Sequence, residues 1–226
     1  VSVARLMVAA KVGNCRAILM REQRNHGAND ALAQAAKTLA ASLESIRHAR
    51  TVPQLMGLEG DAASVYFGVF ASLLRAQGFE FSGRVRRPPG DPVNALLSFA
   101  YVLLASECAS ALAGVGLDPY VGFLHQDRPG RKSLALDLME ELRAPLADRF
   151  ALTLINRGQI KPTDFVTEAS GAVRLKDDAR KALLTAYQER KKESLKHPYL
   201  EESIELGLLP HAQALLLARH LIEGAA

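Results

Sequence analysis

Apolar residues recur at helical spacing along most of the chain. Within residues 1–24 they follow an i, i+3, i+4 pattern that is interrupted only by a polar stripe of Lys11, Asn14 and Arg16. Such a pattern is typical of a helix that is buried except along one side. The N-terminal segment is therefore predicted to be a buried helix with one polar stripe.

Capping residues and prolines divide the rest of the chain into further helices. The clearest start signal is Asp91 followed by Pro92, because an N-cap acid precedes a proline in the first helical turn. A linker containing glycine and proline, residues 79–90, comes before it. After the first helix, we predict helices over residues 29–47, 53–77, 92–114, 133–157, 177–197 and 210–223.

Two features modify this helical pattern. Pro145 lies inside the helix predicted for residues 133–157 and is expected to kink or split it. Residues 165–175 are the one segment whose sequence predicts strands, a short β-hairpin that turns at Ser170 and Gly171. The predicted fold class is all-α, with residues 1–226 forming a single multi-helical domain.

Composition supports this fold class and limits the possible partners. Hydrophobic residues make up 49% of the chain, Trp is absent and aromatics are only 6%, so the core must consist mainly of helix-forming Ala and Leu with Val. The net charge of +4 permits a polyanionic partner without proving one. Cys15 and Cys108 are expected to be buried thiols. We expect a soluble, cytoplasmic protein with no membrane span.

The helix beginning at Ser133 carries an acidic face opposite its apolar face. Asp137, Glu140 and Glu141 lie at i,i+3 and i,i+4 spacing, where like charges destabilise a helix by about 0.2–0.5 kcal/mol per pair. Arg143 can relieve Glu140 in part, whereas Asp137 has no obvious local partner. The spacing alone fits either a solvated acidic face or a divalent-cation site.

Two residues outside this helix can complete such a site. His125 ends a short apolar stretch just upstream, where a tight loop can bring it back towards the carboxylates, as in mixed nitrogen and oxygen sites for Mn²⁺ or Mg²⁺. Glu59 lies between Gly57 and Gly60. Each of these glycines destabilises a helix by about 1 kcal/mol relative to alanine, which suggests that another backbone or a ligand approaches closely there. A structural histidine and a surface glutamate are the simpler alternatives.

Several blocks in order along the chain resemble the CRISPR-associated integrase family, the endonuclease of spacer acquisition. They cover essentially the whole chain, and the C-terminal blocks are similar to the subtype I-C branch. The matching residues are 57–63 with Tyr66 and Phe67, 86–99, 116–125, 127–131, 133–141, 208–211 and 217–220.

This resemblance implies a metal-dependent DNA endonuclease and integrase. By motif position, Glu59, His125 and Glu140 would be the catalytic ligands of Mg²⁺ or Mn²⁺, and Asp137 a neighbouring acid at the metal. The reaction is attack by the 3′-hydroxyl of a short DNA duplex on a phosphodiester of a CRISPR array. The residues then expected to hold DNA phosphates are Arg84, Arg86, Arg87, Arg128, Arg131, Lys132 and Arg143.

The implied partners are double-stranded or branched DNA and the small second adaptation protein of the CRISPR system. The family begins with a β-rich domain that supplies much of a homodimer contact, and no strand-rich region precedes the first helix of this sequence. For Arg190, Lys191 and Lys192, which have acids on both sides, a solvated charge run is favoured. The alternatives to a nuclease are a non-catalytic helical module that grips DNA and a plain helical interaction protein.

Overall fold

The computed structural model describes residues 1–224, most of which are helical, and confirms the predicted all-α class. Its α-helices are α1 (Ser2–His26), α2 (Asp30–His48), α3 (Val52–Gly68), α4 (Pro92–Gly114), α5 (Ser133–Leu142), α6 (Arg149–Asn156), α7 (Asp177–Lys191) and α8 (Leu209–Glu223). Two short antiparallel hairpins pair β1 (Phe165–Thr167) with β2 (Val173–Leu175) and β3 (Ser194–Lys196) with β4 (Ser203–Glu205).

Three of the predicted helix starts are confirmed by side-chain caps. The side chain of Asn29 accepts a hydrogen bond from the Leu32 amide at the start of α2, and Asp91 does the same for the Asn94 amide in α4. Thr51 caps α3 as part of a capping box. These contacts satisfy amides that have no partner within the helix, so local sequence is enough to set the boundary.

The predicted end of the third helix is wrong. Helix α3 ends at Gly68 instead of continuing to Gln77, and a 3₁₀ segment, Phe70–Leu73, follows. The tighter turn buries Phe70 and Leu73 and stacks Phe70 on Phe81 with ring centroids 5.2 Å apart. Aromatic packing from the distant linker therefore overrides the local helical pattern.

The kink predicted at Pro145 is confirmed and has a specific form. Between α5 and α6 the chain widens into a π-helical segment, Arg143–Asp148. Proline lacks the amide hydrogen of a regular α-helical bond, so the backbone cannot continue unchanged through this position. The extra width carries Asp148 into the core, where it is almost fully buried.

The predicted hairpin at 165–175 is confirmed, but the seventh helix is shorter than expected. Helix α7 ends at Lys191, and strand β3 occupies the end of the segment predicted to be helical up to residue 197 and pairs with β4 beyond it. Pro198 disfavours a helical conformation at His197, and the turn that follows places Glu201 at a positive φ of 57°. Pro198 is the residue in the sequence that could have indicated an earlier end of this helix.

Helices α1 and α4 lie at the centre of the domain. Helix α1 packs against α2, α3 and α5, and α4 packs against α5, α8 and the π-helical segment. Cys15 and Cys108 are both buried and free, as predicted. Helix α4 is long and apolar enough to cross a membrane, with a mean hydropathy of 1.7, but half of that stretch is buried within the domain. Its central position accounts for its hydropathy.

Candidate metal centre

Lys11 of α1 joins two carboxylates that come from different helices. Its ammonium contacts Glu59 of α3 and lies 2.6 Å from Oε2 of Glu140 in α5. Burial would lower the pKa of Lys11, but the neighbouring Glu140 and Glu59 raise it above its ordinary value, so the side chain stays charged. Two acids far apart in sequence therefore face each other across one buried cation.

Glu140 is the most strongly held member of this cluster. The guanidinium of Arg143 forms an ion pair with Oε1 at 2.9 Å, and Nε2 of His125 lies 3.8 Å from the same oxygen. Burial opposes ionisation, but the charges of Arg143 and Lys11 outweigh it and lower the pKa of Glu140 to about 2. Oε2 is buried and makes no hydrogen bond within the described residues, so its contact with Lys11 is an ion pair only.

Asp137 holds His125 in place. One carboxylate oxygen accepts hydrogen bonds from the amides of Phe123 and Leu124, and the other accepts from the amide of His125 at 3.0 Å and lies 2.6 Å from its Nδ1. A neutral His125 that donates from Nδ1 keeps its lone pair on Nε2, the nitrogen nearer Glu140.

Asp137 is the acid that the family resemblance places beside the metal, and its contacts in the structure point to a supporting role. Four donors already use both oxygens of this fully buried carboxylate. Asp137 had no obvious partner on its own helix, and the loop over residues 121–125 supplies its hydrogen-bond donors. Asp137 is thus a positioning residue that fixes the loop and the histidine ring.

Gly122 allows this loop to lie against α5. A Cβ atom at Gly122 would come within 2.7 Å of the His125 carbonyl oxygen and 3.1 Å of Oδ2 of Asp137. Any side chain would therefore push the loop away from the carboxylate that organises it. The sequence pattern identified Gly122 only as part of a turn.

Asp137→Asn is expected to lower Mn²⁺ affinity by about 10–100-fold, the usual loss when the hydrogen-bond partner of a metal-binding histidine is removed. The amide nitrogen of Asn cannot accept from the loop amides, so the ring of His125 loses its fixed orientation. Calorimetric titration with Mn²⁺ measures the change. Asp127→Asn is the matched control, because Asp127 accepts a single amide bond from the same loop and is exposed. Wild-type affinity in Asp137→Asn would contradict this role.

The donor set fits a small divalent cation. Within residues 1–224, no group of three His, Cys, Asp or Glu side chains converges into a ready-made metal cage, because Lys11 stands between Glu59 and Glu140. Two carboxylates and one imidazole nitrogen are nevertheless a suitable mixed set for Mn²⁺ or Mg²⁺. Oε2 of Glu140 is the buried acceptor that such a cation would satisfy.

Aromatic and acidic side chains support the cluster from behind. The ring of Tyr101 in α4 lies 5.1 Å from the Arg143 guanidinium and 5.2 Å from that of Arg84. Its hydroxyl donates to Asp148 at 2.6 Å. Burial raises the pKa of Asp148 to about 6, although the Tyr101 hydrogen bond and the charge of Arg143 oppose the rise. This layer keeps Arg143 directed at Glu140.

The basic residues expected to bind DNA fall into two groups. Arg84 donates to Asn94 and Ser98 at 2.8 and 3.0 Å. Its guanidinium therefore ties the linker to α4, unlike the arginines whose guanidinium groups have no protein partner. Arg143 is likewise engaged with Glu140. The other five basic residues expected to bind DNA make no ion pair and no side-chain hydrogen bond with the described residues, and all are exposed except the half-buried Arg131. They are Arg86, Arg87, Arg128, Arg131 and Lys132.

The sequence analysis did not identify Lys11 as part of the site, and one prediction about the glycines beside Glu59 needs correction. The interruption of an apolar helix by a lysine was visible, but its partners on α3 and α5 were not. The sequence predicted that another backbone or a ligand approaches Gly57 and Gly60. The first alternative is wrong, because no other described group lies within 4 Å of a Cβ placed at either position, and the approach of a ligand stays a prediction. Open space there leaves the outer side of Glu59 accessible, and its side chain is 22% exposed.

Comparison with known proteins identifies the family. The sequence profile of the family described as CRISPR associated protein Cas1 matches residues 1–189. The chain belongs to this family. The CRISPR-associated endonuclease Cas1 2 of Rhodospirillum rubrum is 53% identical over 234 residues, an alignment that covers 97% of this chain and 66% of that protein. The chain therefore spans slightly less than two thirds of the length of this Cas1 relative.

Solved structures agree with this assignment. A Cas1 protein from Thermotoga maritima superposes with a TM-score of 0.84 at 29% identity, covering 97% of this chain and 65% of that one. A chain of a partial Cas6-RT-Cas1–Cas2 complex superposes with a TM-score of 0.84 at 30% identity, covering 99% and 65%. Both matches extend over the whole helical domain that carries Glu59, His125 and Glu140. The assignment to subtype I-C stays a prediction.

Proposed function

We propose that this chain is a divalent-metal-dependent DNA endonuclease and integrase domain. It inserts short DNA duplexes into a CRISPR array by attack of a 3′-hydroxyl on a phosphodiester. The observation that carries the proposal is the meeting of Glu59 and Glu140 around one buried cation position, which Lys11 fills in this structure. Nε2 of His125 lies beside it, 3.8 Å from the other carboxylate oxygen of Glu140. The alignment with a relative named as an endonuclease covers 97% of this chain.

Glu59, His125 and Glu140 would hold Mg²⁺ or Mn²⁺. The bound metal supplies charge neutralisation at the phosphoryl oxygen and orientation of the attacking and leaving oxygens. Asp137 keeps the Nε2 lone pair of His125 available, and Arg143 holds Glu140 ionised. Glu59 and His125 are the partly exposed members of the set, with side chains 22% and 17% exposed, so DNA would reach the site from their side.

The exposed basic residues would position the DNA backbone. Arg86 and Arg87 lie in the linker that Arg84 fastens beside Tyr101, and Arg128 and Lys132 lie in the loop that follows His125. Contacts of this kind bind phosphates without reading sequence, and their strength falls as salt rises. DNA would thereby be held over the metal centre in a fixed register.

The proposed partners are those expected from the family. One structural relative is part of a complex with Cas2, and we propose that the small second adaptation protein also binds the protein to which this domain belongs. A homodimer of the full-length protein is part of the same proposal. The family's N-terminal β-rich domain would supply much of that contact.

A strand-transfer assay tests the proposed function. A labelled duplex with a free 3′-hydroxyl is incubated with an array-like target DNA in Mn²⁺, in Mg²⁺ or in EDTA. Joined and cut products are expected only with metal, and Glu59→Gln and Glu140→Gln are each expected to lower product formation by more than about 100-fold. Glu44→Gln, a change to an exposed glutamate on α2, is the matched control and should keep wild-type activity.

The same assay separates a second candidate, a helical module that binds DNA without reacting. The contact that favours it is Lys11, which already neutralises both carboxylates without a metal. Salt-sensitive DNA binding with no product in any metal would support this candidate and rule out the proposed enzyme.

A further inference from the structure

A second basic cluster lies outside the metal centre, in a pocket formed mainly by α1, α6 and the segment after the 3₁₀ turn. The pocket has a volume of about 260 Å³. Its lining includes Arg21, Arg75, Arg149 and Arg157, and Arg190 of α7 is close enough for its charge to act on Arg149. None of these residues belongs to the blocks that carry the family resemblance.

Only some of these arginines have acidic partners. Arg75 pairs with Glu22 at 2.8 Å, and Arg190 pairs with Glu193 at 3.2 Å. Across residues 1–224, the guanidinium groups of the other three make no ion pair and no hydrogen bond. The unpartnered arginines are Arg21, Arg149 and Arg157.

This arrangement costs the folded protein free energy. Arg149 is half-buried, and burial together with the charges of Arg21 and Arg190 lowers its pKa to about 10. Arg21 and Arg157 are exposed, so the desolvation cost falls on the half-buried Arg149, which has no ion-pair partner among the described residues to offset it. Positions that break such rules are frequently functional sites, where a bound group supplies the missing charge.

We propose that this pocket binds a backbone phosphate of DNA outside the metal centre. The guanidinium group donates to phosphate oxygens through two parallel hydrogen bonds, which makes arginine well suited to a buried phosphate. A volume of about 260 Å³ lies below the roughly 300–1,000 Å³ typical of pockets for whole small molecules. It suits one anionic group that belongs to a longer chain.

The pocket and the metal centre lie at different heights along α1, at a separation that a single DNA molecule can span. Arg21 follows Lys11 by ten residues on α1, which is about 15 Å along the helix axis. That length corresponds to about four or five base pairs of duplex at 3.4 Å each. The inference rests on the proposed function because it takes DNA as the ligand, and it adds a site that binds DNA without taking part in the reaction.

The double variant Arg21→Gln with Arg149→Gln tests the pocket. Its affinity for a fluorescently labelled branched DNA is measured by anisotropy in EDTA over a series of salt concentrations. Loss of one phosphate contact should weaken binding about 10-fold near 0.1 M salt and reduce the log–log salt slope by about 1. The matched control is Arg47→Gln with Arg180→Gln, two exposed arginines that each pair with an acid on their own helix.

The fold and the metal centre provide independent controls. We expect Tm to stay at or above the wild-type value, because the substitution removes like-charge repulsion, and we expect the Mn²⁺ response to be unchanged. A fall in both Tm and DNA affinity would assign the arginines to the core and overturn the proposal. An unchanged salt slope, or an equal loss in the control variant, would also overturn it.

Two further outcomes separate this inference from the proposed function. Binding of a fluorescently labelled polyglutamate peptide is measured in the same way for the wild type and the double variant. Loss of peptide binding with DNA affinity intact would assign the pocket to an acidic protein segment and overturn the DNA proposal. If the wild-type protein shows no strand transfer, the proposed enzymatic function is wrong. The change in salt slope between the wild type and the double variant in EDTA still tests the pocket, because that measurement needs no reaction. A wild-type enzyme whose slope the double variant leaves unchanged rejects the pocket alone.

Discussion

Glu59→Ala, His125→Ala and Glu140→Ala are each expected to abolish the rise in Tm that we expect Mn²⁺ to produce in the wild-type chain. A ligand present at 100 times its Kd stabilises the folded state by about 2.7 kcal/mol, which corresponds to roughly 5–11 °C for a domain of this size. The three side chains come from α3, from the loop before α5 and from α5 itself, so each variant removes a different part of the same site.

Thermal denaturation with and without Mn²⁺ measures this effect, and the quantity compared is the metal-induced shift within each variant. Baseline Tm is expected to fall in Glu140→Ala, because Lys11 and Arg143 lose a common partner. Glu44→Ala removes an exposed glutamate of α2 and should keep the full shift. A wild-type shift in any one of the three variants would remove that residue from the ligand set.

Lys11→Met is expected to destabilise the metal-free protein by about 3–5 kcal/mol, the usual cost of removing one partner of a buried ion pair. Glu59 and Glu140 then face each other without a cation between them. Mn²⁺ should recover much of this loss, and its stabilising effect should exceed that in the wild type because no ammonium has to be displaced. The comparison identifies Lys11 as the group that occupies the cation position when no metal is bound.

Urea denaturation in EDTA and in Mn²⁺ supplies the four free energies of unfolding that this prediction needs. Lys37→Met removes an exposed lysine from α2 and should change stability by less than about 0.5 kcal/mol in either condition. Equal destabilisation of Lys11→Met with and without Mn²⁺ would mean that the lysine acts only in packing. A smaller Mn²⁺ effect than in the wild type would mean that Lys11 helps to hold the metal.

The three proposed ligand positions were not obtained from spacing alone. Helical periodicity placed Asp137 and Glu140 on one face of α5, but on spacing alone a solvated acidic face was the favoured interpretation, and periodicity did not indicate which acid would be available. Resemblance to the family selected Glu59, His125 and Glu140. The structure adds that Asp137 is already engaged by the 121–125 loop and that Lys11 separates the two glutamates.

What the sequence by itself determined is local: the caps at Asn29, Thr51 and Asp91, the break at Pro145 and the helical class follow from residues within one or two turns of each other. Only the tertiary structure decided which charges meet. The Lys11 and Glu59 contact spans 48 residues and depends on how α1 and α3 pack, and the same holds for Arg21 and Arg149 on α1 and α6. Periodicity along one helix records which face is buried, but carries no information about the side chain that another helix places against it.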